Sequence, residues 1–479
     1  MSLASGSTSA IPPARAIFRL RQISSHFTPS TLPTLSTPSP SSSSIPLSSL
    51  PVRHFSSSRS NHSNKPHFSF TTASSFRGKP GSPVYTQPGQ SPATAPIKQE
   101  RSGLGRLKQG LPEDHPLCRW RDKQLEKSPK GAGHDWFFVE GVPGSTLGVK
   151  EQVGEGENVK VGGIKGVVLG VADGVGGWEE SGVDPSHFSQ ALMWFARERV
   201  RNGSAFPLTQ TTEGDEGVDL SGKGLRDLLE GAFQDVQEEK GIVAGSSTAC
   251  LIALDSATGK LHAANLGDSS YLILRPVPSS TTQQPTPPSS PSSPPTSPPT
   301  SQTPNPAAPT YKVLHSEPSQ THFFNAPFQL SKLPPSSSPH SNSLMDLPSD
   351  AAITSPQGIQ LQVGDVVVLC TDGQVDNVFP EELEQLAHLV HTKCLEEEQE
   401  NGGGGQGMKR GGDELLASSL SQTTLNFARL VMFKRDKVTP FEVEARRYGY
   451  GKGSGLGGGK VDDVTVVVAV VGQAGADKV

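Results

Sequence analysis

One globular domain that mixes strands with helices is what the chain predicts, and three observations lead there. Short unbroken apolar runs at 167–171, 366–370 and 464–471 have the length and β-branched content of buried strands. Other stretches carry apolar residues at helical spacing, with charge on the opposite face. Pro, Ser and Gly are so concentrated locally that much of the 479 residues cannot pack, which favours one domain over two or three.

The first 99 residues contain no Asp or Glu, yet they hold nine basic residues: Arg15, Arg19, Arg21, Arg53, Arg59, Lys65, Arg77, Lys79 and Lys98. Abundant Ser and Thr around them complete the composition of a mitochondrial transit sequence, and Arg53-His54-Phe55-Ser56 resembles a matrix-peptidase cleavage site. Residues 1–99 are therefore expected to be a transit sequence and disordered leader to a matrix protein, with 100–129 a linker and 130–475 the domain. Near Ala14, the residues Ile17, Phe18 and Leu20 alternate with arginines, as in a transient amphipathic import helix. Without those nine positives the net charge falls from −5 to −14, which argues against a nucleic-acid backbone as partner.

After the leader, His134-Asp135-Trp136-Phe137-Phe138-Val139 reads as a strand opened by a polar pair. The run at 167–171 ends at Asp173-Gly174, followed by Gly176-Gly177, so a carboxylate is delivered at a strand end beside bare backbone. Asp184-Pro185 then suits an N-cap and first turn, and Phe188, Ala191, Leu192, Phe195 and Val200 give the helix its packing stripe. Leu225, Leu228, Leu229, Phe233 and Val236 repeat the pattern in a second helix.

Two β-rich arms flank Gly267-Asp268-Ser269, which places Asp268 in a hairpin turn. Residues 276–310 are almost wholly Pro, Ser, Thr and Gln, the composition of a disordered surface insertion between strands. The run at 366–370 ends in Thr371-Asp372-Gly373, a helix follows from about Pro380, and 401–413 is a glycine-rich insertion before another amphipathic helix. Asp462-Asp463 stands immediately before the last strand. Cys118, Cys250, Cys370 and Cys394 have no paired spacing, so buried thiols in a reducing compartment are expected. No apolar run reaches bilayer-spanning length.

Alone, an Asp-Gly at a strand end is a tight turn. Asp173, Asp372 and Asp462 each terminate or precede a strongly apolar strand, and if those strands share a core the acids meet on one rim. Carboxylates gathered in a partly dry rim repel unless cations neutralise them. All-oxygen ligation selects Mg²⁺ or Mn²⁺ over zinc. Two such ions can activate a shared water and clamp an in-line displacement at phosphorus, so hydrolysis of a phosphate ester is the chemistry expected.

The motifs GVADGVGGW (170–178), GSSTA (245–249), NLGDSS (265–270), CTDGQVDN (370–377) and GGKVDDVTVVV (458–468) resemble those of the metal-dependent protein serine/threonine phosphatases of type 2C. QTHFFNAPFQL (320–330) and TPFEVEARRYGYG (439–451) bring the chain closest to the mitochondrial branch of that family. The resemblance implies an α+β fold, a four-layer α-β-β-α sandwich of two antiparallel sheets flanked by helices, with a metal pair in a cleft at one edge. It implies that Asp173 bridges both ions, that Gly174 offers its carbonyl, and that Asp372 and Asp462 are further ligands. Asp268 matches an acid that helps hold a weaker third ion in some members, and Asp135 one that contacts metal-bound water. Lys130 stands where many relatives grip the substrate phosphate, with Arg119 or Arg121 as alternatives.

Two departures accompany this. The family's early acidic pair reads His134-Asp135, and Val175 occupies the place of a histidine proposed to protonate the leaving oxygen, a role that His187, His322 or a metal-bound water would have to fill. The expected protein is a monomeric Mg²⁺- or Mn²⁺-dependent phosphatase of mitochondrial phosphoproteins, metabolic enzymes and those of ubiquinone biosynthesis among them. Its alternative, kept open by His134, is a pseudophosphatase that binds a phosphoprotein without turnover.

Overall fold

Runs such as VVVLC and VTVVVAVV have no polar face, so each must be covered on both sides, and a layer of strands between helices and a second sheet is the arrangement that does so. In a computed structural model, the described residues are 52–56, 68–81, 110–126, 128, 131–143, 164–203, 219–277, 308–334, 345–400, 409–450 and 454–474. All fall in the compact unit Leu47–Val479.

One sheet has the order β1 (Val52–Ser56), β2 (Phe68–Arg77), β16 (Val464–Gln473), β15 (Val366–Cys370), β8 (Ser270–Val277), β9 (Thr310–Ser316). The other has the order β13 (Ala352–Ile353), β7 (Lys260–Leu266), β6 (Ala249–Asp255), β4 (Ile164–Asp173), β3 (Asp135–Pro143), with β14 (Ile359–Gln360) also on β7. Two short pairs, β5 (Gly245–Ser247) with β12 (Leu330–Lys332) and β10 (Thr321–Phe323) with β11 (Ala326–Pro327), complete the strands. Both sheets are antiparallel throughout.

Period-two alternation sends β15 and β16 into two cores at once. Val367, Leu369, Val467 and Ala469 face the interior between the sheets with Val167, Leu169 and Ile252. Val366, Val368, Val466 and Val468 face outward. There they meet Leu383, Ala387 and Val390 of α5 (Pro380–Glu400) and Leu416, Leu420 and Ala428 of α6 (Lys409–Val431), with α4 (Asp372–Val375) preceding them. On the far side, α2 (Pro185–Arg201) and α3 (Gly222–Glu238) lay Phe188, Leu192, Leu225 and Leu229 on the second sheet. The layers are therefore α-β-β-α, as expected. Asp184 caps α2 by accepting from Ser186 N–H at 2.9 Å with Pro185 in the first turn, and Thr439 caps α7 (Pro440–Arg447) in the same way.

Several expectations are corrected. The leader expected over 1–99 contains folded residues, since β2 lies between β1 and β16 and pairs with β16 from Phe68↔Gln473 to Arg77↔Val464. FSFTTASSFR is rich in hydroxyls and carries no acid, which gives it a leader's composition. Its Ser and Thr side chains are nonetheless buried, and Ser75 Oγ lies 3.0 Å from Ser421 Oγ on α6. The expected linker 100–129 includes α1 (Pro116–Leu125), whose Leu117 and Leu125 join the main hydrophobic core and whose Trp120 meets Trp136 edge-on at 5.7 Å. The domain accordingly begins well before residue 130.

Third, Asp268 is not in a hairpin. Its flanking strands β7 and β8 belong to different sheets, so Gly267-Asp268-Ser269 crosses between layers, with Gly267 at φ 108. The insertion expected at 276–310 joins paired strands, Val277↔Thr310 closing β8 on β9, and 278–307 lie outside the described residues. The glycine-rich insertion ends earlier than 413, because α6 already starts at Lys409.

Removing β2 would strip an inner partner from β16 and uncover Phe70 and Phe76. A chain beginning at residue 130 is expected to lack a cooperative thermal transition by circular dichroism, whereas one beginning at residue 47 keeps it.

Candidate active site

Antiparallel pairing sets the first two acids. Asp135 opens β3, Asp173 closes β4, and the two are register partners, so their side chains leave the same face of adjacent strands. Beyond Asp173 the chain is held by the GSST segment. Thr248 N–H donates to Asp173 O at 3.0 Å, Ser247 Oγ–H donates to the same oxygen at 2.8 Å, and Asp173 N–H donates to Thr248 Oγ1 at 3.1 Å. Gly174 N–H donates to His134 O, and a Cβ at Gly174 would lie 2.5 Å from Pro185 O. Only glycine lets the backbone pass there.

The other sheet supplies the opposing acids. β15 leads through Thr371 to Asp372 at the start of α4, and β16 is preceded by Asp462 and Asp463. Gly373 allows the two ends to touch, since a Cβ on it would stand 1.9 Å from Asp463 O. Thr371 Oγ–H donates to Asp135 Oδ2 at 2.8 Å, tying the first sheet to the second. Asp463 is the clasp of the assembly: it accepts from Lys79 N–H at 2.6 Å and His134 N–H at 2.9 Å.

Burial and mutual repulsion dominate the electrostatics. Burial pushes Asp173 well above the usual carboxylate range, and Asp372, Asp135, Asp462 and Asp268 add to the rise. Asp135 and Asp268 are raised well above it for the same reasons, and Asp372 is raised to about 6. Asp462 goes the other way. Burial would raise it, but Lys460 and Lys79 hold it down at about 2. The acids are near neighbours, yet among the described residues no group of three or more His, Cys, Asp or Glu is already arranged to grip an ion. Lys460 lies among them instead, its Nζ paired with Asp372 Oδ2, Asp376 Oδ2 at 2.8 Å and Asp462 Oδ2 at 3.2 Å.

The sequence-expected acids Asp135, Asp173, Asp268, Asp372 and Asp462 thus lie in one neighbourhood, with Gly174 beside Asp173. Lys130 lies outside the described residues. Arg121 is buried against Asp122 on α1, and Arg119 on the same helix is exposed. His187 pairs with Asp184 at 3.8 Å and His322 with Asp346 at 3.0 Å, each turned to its own local acid. His134 Nε2 is 2.8 Å from Glu179 Oε1, so a carboxylate reaches this position from the 3₁₀ turn Gly176–Ser181.

Sequence reasoning missed Lys460, Asp376 and Lys79. Asp376 follows Asp372 by one helical turn, a spacing that puts both on one face and was available to read. Lys79 Nζ is 3.2 Å from Asp462 Oδ1, and it was hidden by the assignment of its segment to the leader.

Divalent ions fit this donor set. Asp135 Oδ1, Asp268 Oδ1 and Asp372 Oδ1 are buried with no hydrogen-bond partner, and anionic oxygens are the ligands that Mg²⁺ and Mn²⁺ prefer.

No protein-family model matches the chain. Curated proteins do. It is 30% identical over 351 residues to "Protein phosphatase PTC7 homolog fig" of Drosophila grimshawi, covering 73% of this chain and 83% of that protein. It is 30% identical over 311 residues to "Protein phosphatase PTC7 homolog" of Xenopus laevis, covering 64% and 77%. Among solved structures, that of the photosystem II phosphatase PBCP is 22% identical, covering 74% of this chain and 96% of that one, at a TM-score of 0.42.

Ions must displace protons from carboxylates whose pKa is raised, so the two compete. With Asp372 at about 6, apparent Mn²⁺ affinity is expected to strengthen as pH rises through about 6 and to weaken below it. Calorimetric titration across that range checks the sign, and a pH-independent affinity would contradict it.

Proposed function

The chain belongs to the type 2C protein phosphatases, and on that premise we propose that it hydrolyses phosphoserine and phosphothreonine in other proteins with the help of Mg²⁺ or Mn²⁺. The observation that supports this reading best is the convergence of buried acids from both sheets, three of them with an unpaired oxygen. Asp173, Asp372 and Asp462 with the Gly174 carbonyl would hold the ions, and Asp135 and Asp268 would border them. Bound there, the ions supply positive charge and Lewis acidity toward a phosphate ester and a water.

The chain's own residues do the positioning. Thr371 holds Asp135 by its Oδ2, which leaves Oδ1 for another partner. Ser247 and Thr248 hold the end of β4, so that Asp173 stays opposite Asp135. Lys130 is the candidate to grip the substrate phosphate, in keeping with the resemblance. Without ions the surplus of acids repels a phosphate dianion, so metal is expected to bind before substrate.

The location proposed is the mitochondrial matrix, with metabolic proteins, including those of ubiquinone biosynthesis, as substrates. The acid-free composition of the leader and its arginines near Ala14 support it. Cleavage near Arg53 would interrupt only β1, which lies at the sheet edge, and would leave β2 whole. No helix among the described residues is long and apolar enough to cross a membrane.

Asp173→Asn should cost more than the roughly 10–100-fold typical of residues that merely support a metal ligand. It also removes one repelling charge, so the thermal midpoint of the metal-free protein should hold or rise. Aryl-phosphate hydrolysis at saturating Mn²⁺ tests the first point, and wild-type turnover would sink the assignment. Asp255→Asn is the control: the Asp255 carboxylate accepts from Ala257 and Thr258 N–H in a surface turn, and activity should be unchanged.

Changing Arg15, Arg19 and Arg21 together to Glu should leave the protein in the cytosol, while the unaltered chain is imported and shortened. Fractionation with N-terminal sequencing reads this, and a full-length cytosolic product from the unaltered chain would refute import alone.

A further inference from the structure

Lys460 has no role in the chemistry described so far, yet it is the most heavily paired cation in the described part of the cleft. An ammonium has three N–H bonds to give. Here they face Asp372, Asp376 and Asp462, and Asp268 is near enough to act on the same charge. The side chain is only 15% exposed, so the group is largely withdrawn from water and depends on those carboxylates for its solvation.

The backbone behind it is built to keep it there. Lys460 N–H donates to Asn377 Oδ1 at 3.0 Å, and Asn377 Nδ2 returns a bond to Lys460 O at 2.9 Å. The same amide donates to Gly373 O at 2.8 Å, which fixes Lys460 to the helix turn that carries Asp372 and Asp376. Two residues earlier, Gly458 O accepts from Thr439 Oγ1 at 2.6 Å and Gly458 N–H donates to Glu442 Oε2 at 2.9 Å. The ring of Phe441 stands 5.7 Å from the ammonium, where its π-face favours a cation.

Charge balance points the same way. Asp135, Asp173, Asp268, Asp372, Asp376, Asp462 and Asp463 oppose Lys79 and Lys460, an excess of five negative charges. Two divalent ions would leave one negative charge, and a third would make the cleft positive. Asp376, which with Asp268 and Asp372 could offer oxygens to another ion, is already turned to Lys460.

We propose that Lys460 is a tethered cation standing in for a third divalent ion among Asp268, Asp372, Asp376 and Asp462, so that this chain takes up two ions and no more. The proposal rests on the metal-dependent reading above, and it removes the weaker third ion from the expectation. It makes the protein indifferent to the high metal concentrations that a loose third site would need.

The test is a count of bound Mn²⁺ on the purified full chain, by equilibrium dialysis and metal analysis up to millimolar Mn²⁺. Two ions per chain are expected for the wild type and for Lys460→Arg, which keeps the charge, and three for Lys460→Met, which removes it at similar length. Three ions on the wild type would overturn the proposal without recourse to any variant and would leave the phosphatase reading intact. A folded Lys460→Met protein that still stops at two would overturn it as well. No bound ion at all on the wild type would refute the metal-dependent reading, and this proposal with it.

Discussion

Repulsion among buried carboxylates is the constraint to which the cleft answers. Asp135 and Asp173 face each other across adjacent strands, a separation of about 5 Å at which two unit charges repel by about 3 kcal/mol at an effective dielectric of about 20. Asp268, Asp372 and Asp462 add to that field. The fold tolerates it by supplying Thr371 as a donor, two lysines as counter-charges, and unpaired oxygens that suit divalent ions. Raised carboxylate pKa values are the residue of what these devices leave uncompensated.

Those acids can be brought together because the strands behind them are buried on both faces. β15 and β16 alternate between two cores, which locks their register: a slip by one residue would exchange the inter-sheet face for the helix-covered one. Register in turn sets where each strand ends, and therefore where Asp372 and Asp462 emerge. Glycines at 174 and 373 remove the side chains that would otherwise keep the strand ends apart.

The doublet Asp462-Asp463 divides its labour. Asp462 faces the two lysines, whereas Asp463 accepts backbone N–H groups from Lys79 and His134 and joins three distant segments. His134 has a structural place in the same clasp. Its carbonyl accepts from Gly174 and from Ser189, and its ring meets Glu179, so a histidine in the early acidic pair is accommodated by neighbours that supply a carboxylate from elsewhere.

Several features were legible in the sequence because local chemistry alone decides them. The apolar runs ending in Asp173 and Asp372 and preceding Asp462, the Asp184-Pro185 helix start, and the two packing stripes depend on periodicity and capping within a few residues. Other features had no local signature. FSFTTASSFR reads as polar because its small hydroxyl side chains are buried by partners hundreds of residues away, β16 beside it in the sheet and α6, where Ser75 meets Ser421. Gly267-Asp268-Ser269 reads as a hairpin until it is known that β7 and β8 pair with other strands, since a tight turn and a crossover between layers use the same residues. Lys460 is one more basic residue in a glycine-rich stretch until folding places its ammonium among Asp372, Asp376 and Asp462. Chain order is enough to say which groups carry charge and which strands present them. Which charges meet is settled by folding, because Coulomb energy depends on distances that chain order does not contain.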